Sequence, residues 1–332
     1  MIHAEPVRWK FTETDTSNAL ISVDVLDGKV IWAAGGGFPT GPAGTVVRTI
    51  DGGTQWCDVT PPGGERKILR TIKVFDADRA VLLASGTGPG SRIYRTVNGG
   101  QDWTTVFKND DPALADSIYG ALAFFDERHG IAIGDSVDGS FPKITTADNG
   151  EHWTVDPDGI PGALSEEDEG ISATGTALVT LGRRKALFGT VASGHPNARV
   201  FYSDDRGATW TAVDTPIPGD AGVRSLSFRN HRHALAVSGL SADEGPPQGF
   251  AARTSDGGQT WEEAGSPTGF RNSVEWISDR AAVAVGLGGS DLTMDEGQTW
   301  THFDDATLLG VDRAGSACWA VGVDGKAARL KT

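Results

Sequence analysis

One octapeptide returns six times along the chain, each time closing on tryptophan: TIDGGTQW at Trp56, TVNGGQDW at Trp103, TADNGEHW at Trp153, SDDRGATW at Trp210, TSDGGQTW at Trp261 and TMDEGQTW at Trp300. The shared pattern is Ser/Thr-x-Asp/Asn-x-Gly-x-x-Trp, and the intervals of 47, 50, 57, 51 and 39 residues put six of the ten tryptophans in one frame. A period of this size marks a repeated supersecondary unit. The chemistry of the octapeptide is turn chemistry. Asp51, Asn98, Asp148, Asp205, Asp256 and Asp295 can accept hydrogen bonds from backbone N–H groups of the turn, and the glycine two residues later tolerates positive φ. The tryptophan then opens the next strand with a large apolar face suited to wedging between neighbouring units.

Two apolar runs joined by a polar turn precede each octapeptide, as in ALAFFDERHGIAIGD (121 to 135), and a third run such as RIYRT or RVFYS leads into it. With the strand after the tryptophan, each repeat holds four strands, the size of a propeller blade. Six blades then span 19–60, 67–108, 117–157, 170–215, 221–265 and 271–304. A fragment is left at each end: 306–332 gives three strands without the octapeptide, and PVRWKFTET within 5–13 reads as a lone fourth strand. Joined, they make a seventh blade and remove the last open sheet edge. The expected fold is therefore all-β: a seven-bladed β-propeller with four-stranded blades, its ring closed by the N-terminal strand joining the C-terminal blade. Residues 1–332 form this one domain, although their number alone would suggest about two.

Composition narrows the partners. The chain carries 29 Lys and Arg against 44 Asp and Glu, a formal charge of −15, with no basic run, so nucleic acid is not an expected partner. No stretch approaches the ~18 apolar residues of a membrane span, and MIHAEPVRWK lacks the layout of a secretory signal. A soluble monomer is expected, with its compartment left open. Cys57 and Cys318 fall in adjacent blades on non-equivalent strands and are expected to be buried free thiols. His3, His129, His152, His195, His231, His233 and His302 show no zinc spacing, and neither GGGFPTGPAG nor SGTGPGSR completes a nucleotide-binding loop, so no metal or cofactor is expected. The insertion 156–170, DPDGIPGALSEEDEG, accounts for the 57-residue interval. It has Ile160 and Pro161 where an EF-hand needs an oxygen ligand and a glycine, and it reads as an acidic lid.

These octapeptides resemble those of the Asp-box (BNR repeat) propellers, a group that includes sialidases, xyloglucan-degrading hydrolases, sortilin-type receptors and photosystem II stability and assembly factors. The layout, one propeller with a box in nearly every blade, is most similar to the assembly-factor-like and glycosyl-hydrolase-like bacterial proteins. The resemblance covers almost the whole chain and implies a fold rather than an activity. It also implies that ligands bind on the face opposite the boxes, at the loops entering each inner strand and those joining the second and third strands.

On that face Arg70, Arg224 and, one residue earlier in its blade, Arg271 open inner strands and are expected to converge on the central channel. Three guanidinium groups there would hold a carboxylate or phosphate by paired hydrogen bonds. The expected ligand is a small anion, a glycan or an acidic segment of a partner. The alternative is a glycoside hydrolase or lyase working in the same funnel, with acid/base carboxylates drawn from Asp135, Asp243 and Glu275 beside Tyr119, and with His195 as a further candidate. A sialidase reading would need the Phe/Tyr-Arg-Ile-Pro motif near the N-terminus, and this sequence does not carry it.

Overall fold

The computed structural model describes residues 6–37, 41–164, 169–171, 176–240 and 248–332, and these form seven antiparallel sheets arranged as a closed ring. The inner strands are Leu20–Val25, Ile68–Val74, Tyr119–Phe124, Leu178–Leu181, Ser225–Phe228, Ser273–Trp276 and Leu308–Ala314. Each pairs only outward, within its own blade, and touches the inner strands of its two neighbours. The ring closes as the two chain ends suggested: Arg8–Thr12 pairs antiparallel with Ala327–Lys331, from Arg8 opposite Lys331 to Thr12 opposite Ala327.

The boxes repeat as one device. In the first, Asp51 Oδ1 accepts from the backbone N–H groups of Thr54 and Gln55 at 2.9 and 3.0 Å, while Thr49 Oγ1 accepts from Gly53 N–H at 3.0 Å. The same acceptors recur on Asn98, Asp148, Asp205, Asp256 and Asp295. Two consecutive residues take positive φ in every box, and the second is always glycine, from Gly53 at 84° to Gly297 at 83°. That glycine also lies against the preceding blade: a Cβ on Gly53 would stand 2.4 Å from the ring of Trp319, and one on Gly297 2.8 Å from Leu235.

The hydrophobic core is correspondingly divided into seven clusters, one at each seam between blades. Trp56, Trp103, Trp153, Trp210, Trp261 and Trp300 each enter the cluster between their own blade and the preceding one. Basic side chains tie several boxes to the blade before them. Arg48 Nη1 donates to the Gly99 carbonyl at 2.7 Å, Lys143 Nζ to Gly207 at 2.8 Å and Lys185 Nζ to Gly257 at 3.0 Å.

Three details depart from the sequence reading. Strand Thr154–Pro161 outruns the expected end of the third blade, because a bulge opposite Phe141 and Lys143 lets pairing continue to Ser140 opposite Pro161. The rest of the acidic insertion is not simply a lid, since Glu169–Ile171 adds a short fifth strand to the fourth blade along Lys185–Ala192; 165–168 lie outside the described residues. Both thiols are free, but Cys57 is exposed on the outer strand of its blade while Cys318 is buried. Outer strands meet solvent on one side, so their first residue after the tryptophan need not be covered.

Candidate functional site

Hairpin register places the seven inner strands on a common frame. Ser22, Thr71, Ala121, Ser225, Ser273 and Gly310 lie opposite equivalent residues of their second strands, and Ala177 takes the same level in the fourth blade. One residue earlier, at the mouth of the channel, stand Ile21, Arg70, Gly120, Thr176, Arg224, Asn272 and Leu309. In four blades this residue is the extra one of a β-bulge.

Arg224 and Asn272 are therefore equivalent: Arg224 N–H donates to the Val237 carbonyl and Asn272 N–H to that of Val285. Arg271 falls one residue short and turns into the sixth blade. It is fully buried, with Nη2 at 2.9 Å and Nε at 3.1 Å from Asp291 Oδ2, Nη2 donating to Thr268 Oγ1 and Nη1 to the Phe270 carbonyl. A group so enclosed is a strut of the loop entering the blade, and the expected three-arginine cluster does not form.

The other two arginines remain at the mouth, in different company. Arg70 is half-buried beside Asp135 of the third blade. Burial pushes the Asp135 carboxyl up, against the Ile171 N–H it accepts at 3.1 Å and the nearby Arg70 charge. Arg224 Nε donates to the Ala221 carbonyl at 3.1 Å, and its guanidinium lies 5.5 Å from the centre of the Phe270 ring. Asn272 contributes a buried Oδ1 with no hydrogen-bond partner among the described residues. Donor and aromatic plate thus sit together between the fifth and sixth blades, with the buried Asn272 Oδ1 at the same level.

The remaining candidates scatter. Tyr119 lies one residue before the mouth position and faces the seam between the second and third blades, fully buried and edge-on to Phe107 at 5.5 Å. Burial pushes its hydroxyl well above the ordinary phenol range, and the ring lies in that seam rather than in the channel. His195 is half-buried in the loop joining Lys185–Ala192 to Arg199–Ser203, on the expected face. Asp243 lies outside the described residues.

Glu275 belongs to a deeper ring that the sequence reading did not assemble: Asp24, Lys73, Ala123, Val179, Ser227, Glu275 and Asp312, two residues beyond the Ser22 level. An inner strand is an edge strand, and its channel-side N–H groups need acceptors. They find them on the preceding blade. Ser22 Oγ accepts from Ile72 N–H, Asp24 from Val74 N–H at 2.6 Å, Ser225 from Val274, Ser273 from Val311, and Asp312 from Val25 N–H at 2.6 Å.

Lys73 Nζ pairs with Asp24 at 2.9 Å, and Ser227 Oγ donates to Glu275 Oε2 at 3.1 Å. Burial, reinforced by Asp312, pushes Glu275 up to about 8 against its bond from Ser227. Burial and Asp24 push Asp312 up to about 6 against Lys73. Beside them is a cavity of about 230 Å³ lined by Asp24, Lys73, Thr71 and Asp312 on one side and Ala123 and Val179 on the other. The missed signal was a charge at the same place in four inner strands: SVDV, TIKV, SVEW and GVDR.

The BNR/Asp-box repeat profile matches residues 201–212, and no curated protein sequence matches the chain. The structure of YCF48 bound to D1 peptide is similar over 98% of this chain and 97% of that one, with a TM-score of 0.68 at 15% identity. The GH74 xyloglucanase from Xanthomonas campestris aligns over 97% of this chain and 53% of its own, with a TM-score of 0.63 at 15% identity. Virginiamycin B lyase from Staphylococcus aureus aligns over 98% and 100%, with a TM-score of 0.64 at 10% identity. At such identities the likeness is one of fold. No helix among the described residues is long and apolar enough to cross a membrane. The chain is a seven-bladed β-propeller, and one of its six boxes lies within the match to the BNR/Asp-box repeat.

Proposed function

We propose that the protein is a binding propeller that holds an acidic segment of a partner protein across the channel mouth on the face opposite the boxes. The observation carrying this reading is the group between the fifth and sixth blades: the Arg224 guanidinium over Phe270, with the unpartnered Asn272 Oδ1 at the same level. A guanidinium favours a carboxylate, an amide oxygen favours a peptide N–H, and a polypeptide supplies both. Arg70, three blades away at the same level, adds a second cation to the mouth of a chain whose net charge is −15. YCF48, similar in fold, is a protein whose structure holds a peptide.

Calorimetric titration of acidic peptides, small dicarboxylic acids and glycans against wild type, Arg224→Ala and Asn272→Ala tests it. Acidic peptides should bind wild type, and each variant should lose about tenfold, the worth of one good polar contact at ~1.4 kcal/mol. Equal binding by all three proteins rejects the site.

A second reading, glycoside hydrolase or lyase, rests on Glu275 and Asp312, two neighbouring channel carboxyls held at different proton affinities, as an acid and base pair requires. Turnover of a polysaccharide or lactone that disappears in Glu275→Gln and survives in Arg224→Ala would favour it over the binding reading. Turnover lost in Asp135→Asn would move the acid/base role to the mouth.

A further inference from the structure

The seams treat the channel-side N–H groups of the inner strands unequally. Where Ser22, Asp24, Ser225, Ser273 or Asp312 stands on the preceding blade, the N–H has a side-chain acceptor, and Leu226 N–H finds the Thr176 carbonyl at 3.0 Å. The third and fourth blades differ. In the third, Phe125 N–H closes the hairpin on the His129 carbonyl, so strand alternation turns the N–H groups of Leu122 and Phe124 away from their own sheet. In the fourth, Gly189 N–H donates to the Ala177 carbonyl, and the N–H groups of Leu178 and Thr180 are turned out likewise. None of these groups has an acceptor among the described residues. The preceding blades explain why: Ala121 and Ala123 carry no polar side-chain atom, Lys73 is itself a donor, and Thr71 Oγ1 is buried without a hydrogen-bond partner.

Leu122, Phe124, Leu178 and Thr180 all line the channel cavity of about 230 Å³, and so does Asp312, across the ring from them, because the seventh blade of a seven-membered ring faces the third and fourth. Asp24 is neutralised by Lys73 at 2.9 Å, whereas Asp312 has no ion-pair partner among the described residues. One wall thus offers donors without acceptors, and the opposite wall a carboxylate without a cation. Both are costly to leave unmet in an enclosed site. Water answers the donors and not the charge, a simple anion fits the donors and is repelled by Asp312, and a simple cation leaves the donors bare. We propose that the channel holds a short linear zwitterion, an ω-amino acid whose carboxylate accepts from the N–H groups of the third and fourth blades and whose ammonium meets Asp312. An α-amino acid carries both charges on neighbouring carbons, whereas walls on opposite sides of the ring ask for charges at opposite ends of a chain. The site lies below the mouth and rests on neither reading given above.

The backbone amides of Leu122, Phe124, Leu178 and Thr180 are NMR reporters at the claimed atoms. The probe is γ-aminobutyrate, with its isomer α-aminobutyrate and the singly charged butyrate and butylamine as controls. The four amides should shift saturably with γ-aminobutyrate, and each control should bind at least about tenfold more weakly, the loss of one charged contact. Asp312→Asn should weaken γ-aminobutyrate about tenfold and erase its preference over butyrate. Ala123→Asp gives the third blade the acid that Asp24 and Asp312 supply in theirs, placed to accept from Thr180 N–H; it should exclude the carboxylate and let butylamine bind at least as well as γ-aminobutyrate. These reversals of preference are not produced by a variant that is merely less stable, and the wild-type comparison stands if either variant fails to fold. Arg224→Ala, which removes the proposed peptide contact at the mouth, should still bind γ-aminobutyrate. The proposal is overturned if the four amides ignore γ-aminobutyrate, if the two isomers bind equally, if butyrate or butylamine matches γ-aminobutyrate in wild type, or if binding is lost in Arg224→Ala. Glycylglycine carries the same charged ends across a peptide bond, and tighter binding by it would overturn the amino-acid assignment in favour of a dipeptide.

Discussion

The turns of the box face and the inner strands around the channel are built from the same seven-fold ring, yet they treat repetition oppositely. Six boxes keep the same acceptor, the same left-handed pair ending in glycine and the same tryptophan. The inner strands keep only their pairing register. At the mouth they carry Ile21, Arg70, Gly120, Thr176, Arg224, Asn272 and Leu309, and deeper in they carry acids, a lysine, a serine and apolar residues. A requirement shared by every seam is met by one repeated solution, whereas a ligand bound on the ring axis meets each blade differently. Identity between blades therefore marks the fold, and difference marks where to search for function.

Arg271 is the sharpest challenge to that rule, because it occurs in one blade and is structural. Its guanidinium and Asp291 are both fully buried and bonded to each other. Arg271→Met would leave the Asp291 carboxylate buried without its cation, and should cost about 3–5 kcal/mol in urea unfolding. A cost near zero would show that the pair is dispensable and that the loop entering the sixth blade is held by other contacts. Next in size is a repeated position, Gly53. Valine there must adopt φ of 84° and push into the Trp319 ring, for which about 2–4 kcal/mol is expected from strain and overpacking together. If Gly53→Val melts like wild type, the repeated glycine is not a packing requirement.

The sequence carried the fold because its strongest signals are local. A tryptophan after an Asx-type turn needs no knowledge of the rest of the chain, and counting such turns gave the blades. The mouth was harder, because a strand reverses its faces with every residue and bulges within the inner strands shift that alternation without any mark in the sequence. Arg271 stands one residue early in GFRN against Arg224 in GVRS, and the register, which aligns Arg224 with Asn272, turns that offset into burial. Tyr119 was misread by the same one-residue margin, which carries a side chain from the channel into a seam. The deeper ring was legible in principle, since a lone charge at one fixed place in apolar strands stands out once the hairpins are aligned. What no alignment of repeats could give is that Asp24 and Asp312 spend an oxygen each on the N–H groups of the next blade, a contact between residues far apart in the chain.

A further effect should come from the deeper ring, and it should appear as a slope in pH. Glu275 is pushed up to about 8 and Asp312 to about 6, both above their ordinary values of 4.5 and 3.8. In the folded protein these carboxyls keep protons that the unfolded chain has released, so the folded state binds more protons between about 4.5 and 8. Stability is then greatest at the acid end of that window and falls as pH rises through it, at about 1.4 kcal/mol for each unit of displacement that the site retains. Glu275→Gln removes the titrating group while keeping an oxygen to accept from Ser227. The variant should match wild type near pH 5, exceed it near pH 8, and show a flatter melting temperature between pH 6 and 8, where Asp312 is already ionised. Parallel profiles for the two proteins would mean that Glu275 is ionised and solvated, and that the channel wall is wetter than its burial implies.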